Sequence, residues 1–261
     1  MKLKFFKYQG TGNDFVLVDN REGSYNNLSA TVIKDICDRR FGIGADGFMQ
    51  LNQKEEYDFE MVYYNADGQQ GSMCGNGGRC IVQFAKDMGI YKKAYHFLAV
   101  DGQHEACIHD EEGLVSLKMK DVKSISKYYN DDVLDTGSPH YVQLTTHVMD
   151  LNVVTLGRKI RNNNDFKKDG INVNFVEKKD DHNLIVRTYE RGVEDETFAC
   201  GTGVTAAALV FFQKEDGSNK LEIDVLGGHL SVNYIRHKDG SYTDIWLKGP
   251  AKKVFEGEIV L

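Results

Sequence analysis

The sequence predicts an α/β protein of α+β character, built as two pseudo-symmetric domains, each a largely antiparallel, barrel-like sheet wrapped around a central helix. Three observations carry this. Most of the chain falls into short strand-like runs separated by glycine turns, and few stretches show helical periodicity. In addition, one segment is written twice. "YNADGQQGSMCGNGGRC" (64–80) and "YERGVEDETFACGTGVTA" (189–206) share a Tyr, a polar residue, a Gly a few places on, and then Cys-Gly-x-Gly ahead of a helix-like run.

Taken in order, "KLKFFKY" and "FVLVD" open the chain as strands. "SATVIKDICDRRFG" predicts a helix with Ser29 as N-cap, an apolar face of Val32, Ile33, Ile36 and Cys37, and Arg39, Arg40 and Gly42 at its C-terminus. "FGIGADGF" holds a G-x-G-x-x-G pattern at Gly42, Gly44 and Gly47, but a helix precedes it and a strand follows, the reverse of a dinucleotide site. It is a helix stop and a turn. "YDFEMVYYN" alternates Phe59, Met61 and Tyr63 with polar partners. "GGRCIVQFAKDMG" is helical, with Cys80, Phe84 and Met88 on one face. "FLAVDGQHEACIH" and "IHDEEGLVSLKMK" carry Asp-Gly and Glu-Gly turns, and "NVNFVEKKDDHNLIVRTY" is a hairpin.

The third helix, "GTGVTAAALVFFQK", is apolar all round, from Val204 through Ala206 to Phe211 and Phe212. A helix with no polar face has to be enclosed, and strands are the only abundant material to enclose it. "LEIDVLGGHLSVNYIRHKDGSYTDIWLKG" is a meander with Gly-Gly and Asp-Gly corners. The boundary between halves is placed near 118–126. The last strand, "KKVFEGEIVL", is able to pair with either half and is assigned to the first. The domains expected are therefore 1–120 with about 250–261, carrying Cys74, and 121–249, carrying Cys200.

Composition narrows the function. The chain is 41% apolar and 27% charged, with no apolar run approaching a membrane span, and "MKLKFFKYQGTGNDF" lacks a secretory h-region. A cytoplasmic protein without a membrane partner is expected. A net charge of −7 with scattered Lys and Arg offers no basic footprint for nucleic acid. Five cysteines without zinc-finger spacing predict reduced thiols and no metal site. Cys37, Cys80 and Cys107 fall on apolar faces and are structural.

Cys74 and Cys200 differ, because each begins a helix. The first N–H groups of a helix lack partners and carry partial positive charge, so they bind anions and favour a thiolate. Should the halves face each other, one thiol would flank each side of a held anion. Removing a proton from one face of a carbon and returning one to the other inverts that centre. The α-hydrogen of an amino acid is a far weaker acid than a thiol, so N–H groups aimed at its carboxylate have to stabilise the developing charge. Other polar groups are individually weak. Asn13 and Asp14 suit a turn, His140 is a lone histidine after a proline, and Glu190-Arg191 is an ordinary solvated pair whose place before Cys200 matches that of Asn65 before Cys74.

Over essentially its whole length the chain resembles the diaminopimelate epimerases: "GTGNDF", "GIGADG", "YNADG", "MCGNGGRC", "SPHYV", "YERG" and "ACGTG" occur in that family's order. The resemblance implies a cofactor-independent enzyme interconverting LL- and meso-diaminopimelate in lysine and peptidoglycan precursor synthesis. It also implies a site in the cleft between two mirror-like halves, Cys74 and Cys200 as the acid/base pair, and a homodimer. By motif, Asn13, Gly75, Asn76, Glu190, Gly201 and Thr202 match residues holding the reacting end of the substrate. Asn65, Asn172 and Arg191 match those holding the distal end, and His140 matches a supporting histidine. Two positions depart from the pattern. Ser138 stands where many members have Asn, and Gly47 where some have Gln. The alternative is a related two-cysteine proline or hydroxyproline racemase, which has His in place of Asn76 and needs no distal grip.

Overall fold

The computed structural model describes residues 1–211 and 216–261, and Phe212, which the sequence reading puts in the third helix, lies outside them. No described helix is long and apolar enough to cross a membrane. The chain divides into two compact units, Met1–Leu117 with Pro250–Leu261, and Lys118–Gly249.

The first unit runs β1 (Lys2–Gly10), β2 (Asn13–Asp19), α1 (Ala30–Cys37), β3 (Gly47–Asn52), β4 (Glu60–Asn65), α2 (Gly75–Asp87), β5 (Ala94–Ala99), β6 (Gly102–His109) and β7 (Leu114–Lys118). The C-terminal strand Lys252–Val260 pairs antiparallel with β1, and β1 with β2. The β2–β3 and β4–β5 steps are parallel, crossed by α1 and α2, and the remaining steps are antiparallel. Ser29 caps α1 as its sequence predicts, accepting from the Val32 N–H. The helix ends at Cys37, one turn earlier than the basic pair suggested. Arg39 lies beyond it because Asp14 and Asp46 draw its guanidinium back to β2. α2 packs against β1, β2, β3, β6 and the C-terminal strand, strands from both ends of the pairing order, so the sheet curves around it. Cys80 and Phe84 are fully buried there.

The second unit repeats this plan with β8 (Ser126–Tyr128), β9 (Asp131–Asp135), β10 (Pro139–Leu144), α3 (Val153–Arg161), β11 (Asn172–Lys178), β12 (Asn183–Glu190), β13 (Asp195–Thr197), α4 (Gly201–Phe211), β14 (Gly217–Val225), β15 (Gly228–Arg236) and β16 (Tyr242–Pro250). The steps β8–β9–β10 are antiparallel, β10–β11 is parallel across α3, β11–β12 is antiparallel, and β12–β14 is parallel across α4. The β14–β15–β16 meander closes the order. Only β13, a short addition on β12, has no counterpart among the described strands of the first unit. α4 is surrounded by β9, β10, β11, β12, β14 and β15, and Val204 and Ala206 to Val210 are buried on every side of it. Its all-round apolarity thus has the enclosure it demands.

α3 is a helix the apolar periodicity does not announce. Asn152 caps it by accepting from the Thr155 N–H, and only Val153 and Gly157 are buried.

Candidate active site

Each Cys-Gly-x-Gly stretch begins one of the two enclosed helices. The Cys74 carbonyl accepts from the Gly78 N–H at 2.8 Å, and the Cys200 carbonyl from the Val204 N–H at 2.9 Å. Both cysteines are therefore N-caps, at helix ends whose first-turn N–H groups have no intrahelical partner. The Cys74 sulfur accepts from the Gly77 N–H at 3.1 Å, and the Cys200 sulfur lies 3.5 Å from the Thr202 hydroxyl. No disulfide joins any of the five cysteines, all of them among the described residues. Burial pushes the thiols of Cys37 and Cys80 up to about 12 and raises that of Cys107, so each of the three disfavours its thiolate.

In the first unit, the β1–β2 turn brings Asn13 to the start of α2. The Asn76 amide donates to the Asn13 carbonyl at 3.3 Å, and the Asn13 amide donates to Asp46 at 2.6 Å. Arg79, one turn into α2, is fully buried and makes no ion pair with a carboxylate among the described residues. It donates instead to the Asn76 side-chain oxygen, the Thr11 hydroxyl and the Gly75 carbonyl, at 3.0, 3.0 and 3.1 Å. Burial lowers its pKa to about 10, which still leaves it charged at neutral pH. Behind Asn13, burial tends to raise the Asp14 carboxyl, but bonds from Arg39 and Lys7 outweigh it and hold the group down at about 2. Asn65 ends β4, and its carboxamide lies over Gly71 rather than in the Asn13–Asn76 chain of bonds. Gly47 has a local cause: a Cβ there would lie 2.5 Å from the Tyr63 ring, which occupies the space a longer residue would need.

In the second unit, parallel pairing sets His140 on β10 opposite Asn172 on β11. Asn172 donates to the Ser138 hydroxyl at 2.7 Å and accepts from the Arg191 backbone N–H at 2.8 Å. The Arg191 guanidinium rests on the Asp169 carbonyl, close over Gly170, whose φ of +73° suits glycine. His140 is fully buried. Burial, helped by the positive charge of Arg191, lowers its pKa to about 3. Asn174 also donates to the Tyr141 carbonyl, so its NH2 faces the ring and His140 Nδ1 is an acceptor. The proton is then on Nε2. Glu190 accepts from Thr197, and the Thr202 carbonyl accepts from Thr136.

In the first unit Asn13 and Asn76 are bonded together at the head of α2 while Asn65 stands aside, and in the second Asn172 is bonded to Ser138 and Arg191, and His140 to Asn174. Sequence reasoning missed Arg79, Thr11, Asp46 and Asn174. The first three lie inside quoted motifs, but nothing in "GNGGRC" marks Arg79 as enclosed.

A family model described as diaminopimelate epimerase matches residues 5–125 and 133–254. The chain is 46% identical over 258 residues to a diaminopimelate epimerase of Flavobacterium psychrophilum, covering 98% of this chain and 100% of that one. In fold it is similar to a Bacillus anthracis phenazine biosynthesis protein of the PhzF family, with TM-score 0.77 at 14% identity and full coverage of both chains. It is also similar to a probable proline racemase from Agrobacterium radiobacter, with TM-score 0.73 at 12% identity, covering 99% of this chain and 93% of the other. At such identities these two likenesses concern the fold alone. A family match across both units, joined to a near-full-length relative and a paired set of thiol-capped helices, places the sequence: the chain belongs to the diaminopimelate epimerase family.

Proposed function

We propose that the chain interconverts LL- and meso-diaminopimelate by moving the α-proton between Cys74 and Cys200, in lysine and peptidoglycan precursor synthesis. The observation that carries this reading is the duplicated N-cap cysteine, one on each enclosed helix. In each direction one sulfur acts as thiolate and removes the proton, while the other, as thiol, delivers one to the opposite face. The two titrate as a coupled pair. Gly75, Asn76, Gly201 and Thr202 supply donors to the α-carboxylate, where charge develops as the proton leaves. Asn13 adds a further donor to that carboxylate, and Glu190 holds the rest of the reacting end. Asn65, Asn172 and Arg191 grip the distal end, Arg191 through a guanidinium suited to a carboxylate. Ser138 and His140 support this group through Asn172 and Asn174. On this reading the chemistry needs no pyridoxal phosphate or metal. The protein works as a cytoplasmic homodimer with no nucleic-acid or membrane partner, and size-exclusion chromatography with light scattering tests the dimer.

The test of the reaction is deuterium uptake. In D2O the parent protein incorporates deuterium at the α-carbon of LL-diaminopimelate as the meso isomer forms. Cys74→Ala and Cys200→Ala each lower epimerisation by roughly a thousandfold or more while keeping the folded circular-dichroism spectrum. Near-normal turnover by either variant refutes the role given to that thiol. Proline, assayed in parallel, is expected to be inert. Racemisation of proline in preference to diaminopimelate would favour the proline racemase alternative.

A further inference from the structure

Arg79 poses a question the proposed reaction leaves open. A buried guanidinium without a carboxylate is costly, and an apolar side chain of similar volume would be cheaper at that place. It is one end of a chain of hydrogen bonds. Arg79 donates to the Asn76 oxygen at 3.0 Å, the Asn76 amide donates to the Asn13 oxygen at 3.3 Å, and the Asn13 amide donates to Asp46 Oδ2 at 2.6 Å. The Thr11 hydroxyl accepts from Arg79 and donates to the same Asn76 oxygen at 3.4 Å. To do so Thr11 sits buried at a φ of +52°, a costly conformation for a β-branched residue. At the far end Arg39 holds Asp46 at 2.7 Å.

A carboxamide can ordinarily turn either way round. Here it cannot. A guanidinium only donates and a carboxylate only accepts, so ions of opposite role at the two ends leave one arrangement for both amides between them. Turning either one would set oxygen against oxygen or N–H against N–H.

We propose that Arg79 and Asp46 are positioning residues that fix the polarity of the Asn13 and Asn76 carboxamides, so that both present N–H to the carboxylate of an α-amino acid ligand. The inference rests on the assignment of Asn13 and Asn76 to the reacting end of the substrate. It explains the buried charge, since a guanidinium serves four acceptors here, the Pro250 carbonyl at 3.5 Å among them, and cannot accept in return.

Double-mutant cycles test it, with kcat and KM for LL-diaminopimelate measured on Asp46→Asn, Asn13→Ala and their double, and on Arg79→Lys, Asn76→Ala and their double. Asp46→Asn is isosteric, exposed and able to present N–H where only an acceptor stood. It is expected to lower kcat/KM roughly tenfold or more, since a misaligned contact is felt in the chemical step. In the Asn13→Ala background it should cost no more than about a further twofold. Arg79→Lys keeps a donor-only cation at that end, so it is expected to cost less than Asp46→Asn and to be non-additive with Asn76→Ala. If Arg79→Lys does not fold, the Asp46 cycle decides. An Asp46→Asn variant with unchanged kcat/KM, or with its full loss retained beside Asn13→Ala, overturns the proposal. A readout independent of turnover separates this inference from the reaction assigned above. In spectra of protein labelled at asparagine, the side-chain amide signals of Asn13 and Asn76 are single in the parent and split or broaden in Asp46→Asn, while backbone signals distant from Asp46 hold. Absence of any epimerase activity with that splitting present sinks the reaction and leaves the positioning role. Unshifted, single amide signals in the variant sink the positioning role itself.

Discussion

His140 shows how burial decides what a single residue can do. An exposed histidine near its ordinary pKa would exchange protons around neutrality, but this ring is enclosed, lies near the charge of Arg191 and is lowered to about 3. It is therefore neutral across the working pH range and serves as a fixed dipole, with Nδ1 accepting from Asn174. The sign of its effect on stability follows. Below about pH 6.5 the unfolded chain takes up a proton that the folded chain refuses, so stability falls as pH drops from 6.5 toward 3 and is flat above 6.5. Between pH 8 and pH 5 the loss from this one group is on the order of 2 kcal/mol. Urea unfolding of His140→Gln should show a shallower fall over that interval, by close to one proton, and identical slopes in the two proteins would refute the buried neutral ring. Sequence identified His140 only through its motif, because burial and tautomer are set by partners on β11 and β12 that lie far along the chain. Arg79 escaped for the related reason that an arginine in a polar-looking "GNGGRC" gives no hint of total enclosure.

At the scale of the element, the second glycine of each Cys-Gly-x-Gly has a different neighbour, which predicts two different failures. A Cβ on Gly203 would lie 2.3 Å from the Asn174 carboxamide oxygen, which is tied to Thr188 on a side chain also bonded to His140 and the Tyr141 carbonyl. Nothing there yields cheaply. A Cβ on Gly77 would meet the terminal methyl of Met49 at 2.7 Å and the Cys74 sulfur at 3.1 Å. A methionine end can turn aside. Gly203→Ala is therefore expected to destabilise by roughly 1–3 kcal/mol in thermal unfolding. Gly77→Ala should lose less stability, because alanine favours the helix by about 1 kcal/mol, but it should lower kcat/KM by displacing the thiol from the Gly77 N–H. Equal stability losses with unchanged kinetics in Gly77→Ala would contradict this. The strands, their turns and the helices α1, α2 and α4 were legible because period two, Gly corners, a Ser cap and an all-apolar run each have one physical reading. α3 was not. Gly157 interrupts its pattern, yet glycine is required where the helix crosses β12, since a Cβ would come within 2.3 Å of Tyr189. A packing demand from a distant strand thus overrode local propensity.

For the whole molecule, the two units share one pairing order, but the first completes it with the far end of the chain. β8 leads into β9 locally, whereas the equivalent place beside β1 is taken by the C-terminal strand, paired from Lys2 opposite Val260 to Gln9 opposite Lys252 with a shift of register between Lys7 and Tyr8. Sequence alone gave no physical ground for that pairing. Val254, Phe255 and Val260 are exposed, so no one-sided alternation marks the strand as belonging to a particular sheet. The first unit therefore cannot assemble fully until the last residues are available, and its β1–β2 core depends on a contact of extreme sequence separation. Gly257 lies directly over the Phe5 ring, where a Cβ would come within 2.9 Å, so the pairing also buries β1 side chains closely. A chain ending at residue 251 is expected to lose hydrogen-exchange protection in β1 and β2 by orders of magnitude, while β10 to β12, whose partners all lie within the second unit, keep theirs. Because Asn13 and the start of α2 hang on β1 and β2, epimerisation should vanish with that protection even though every proposed site residue is still present. Retained protection in β1 and β2, or activity without it, would show that the C-terminal strand decorates the first unit rather than completing it.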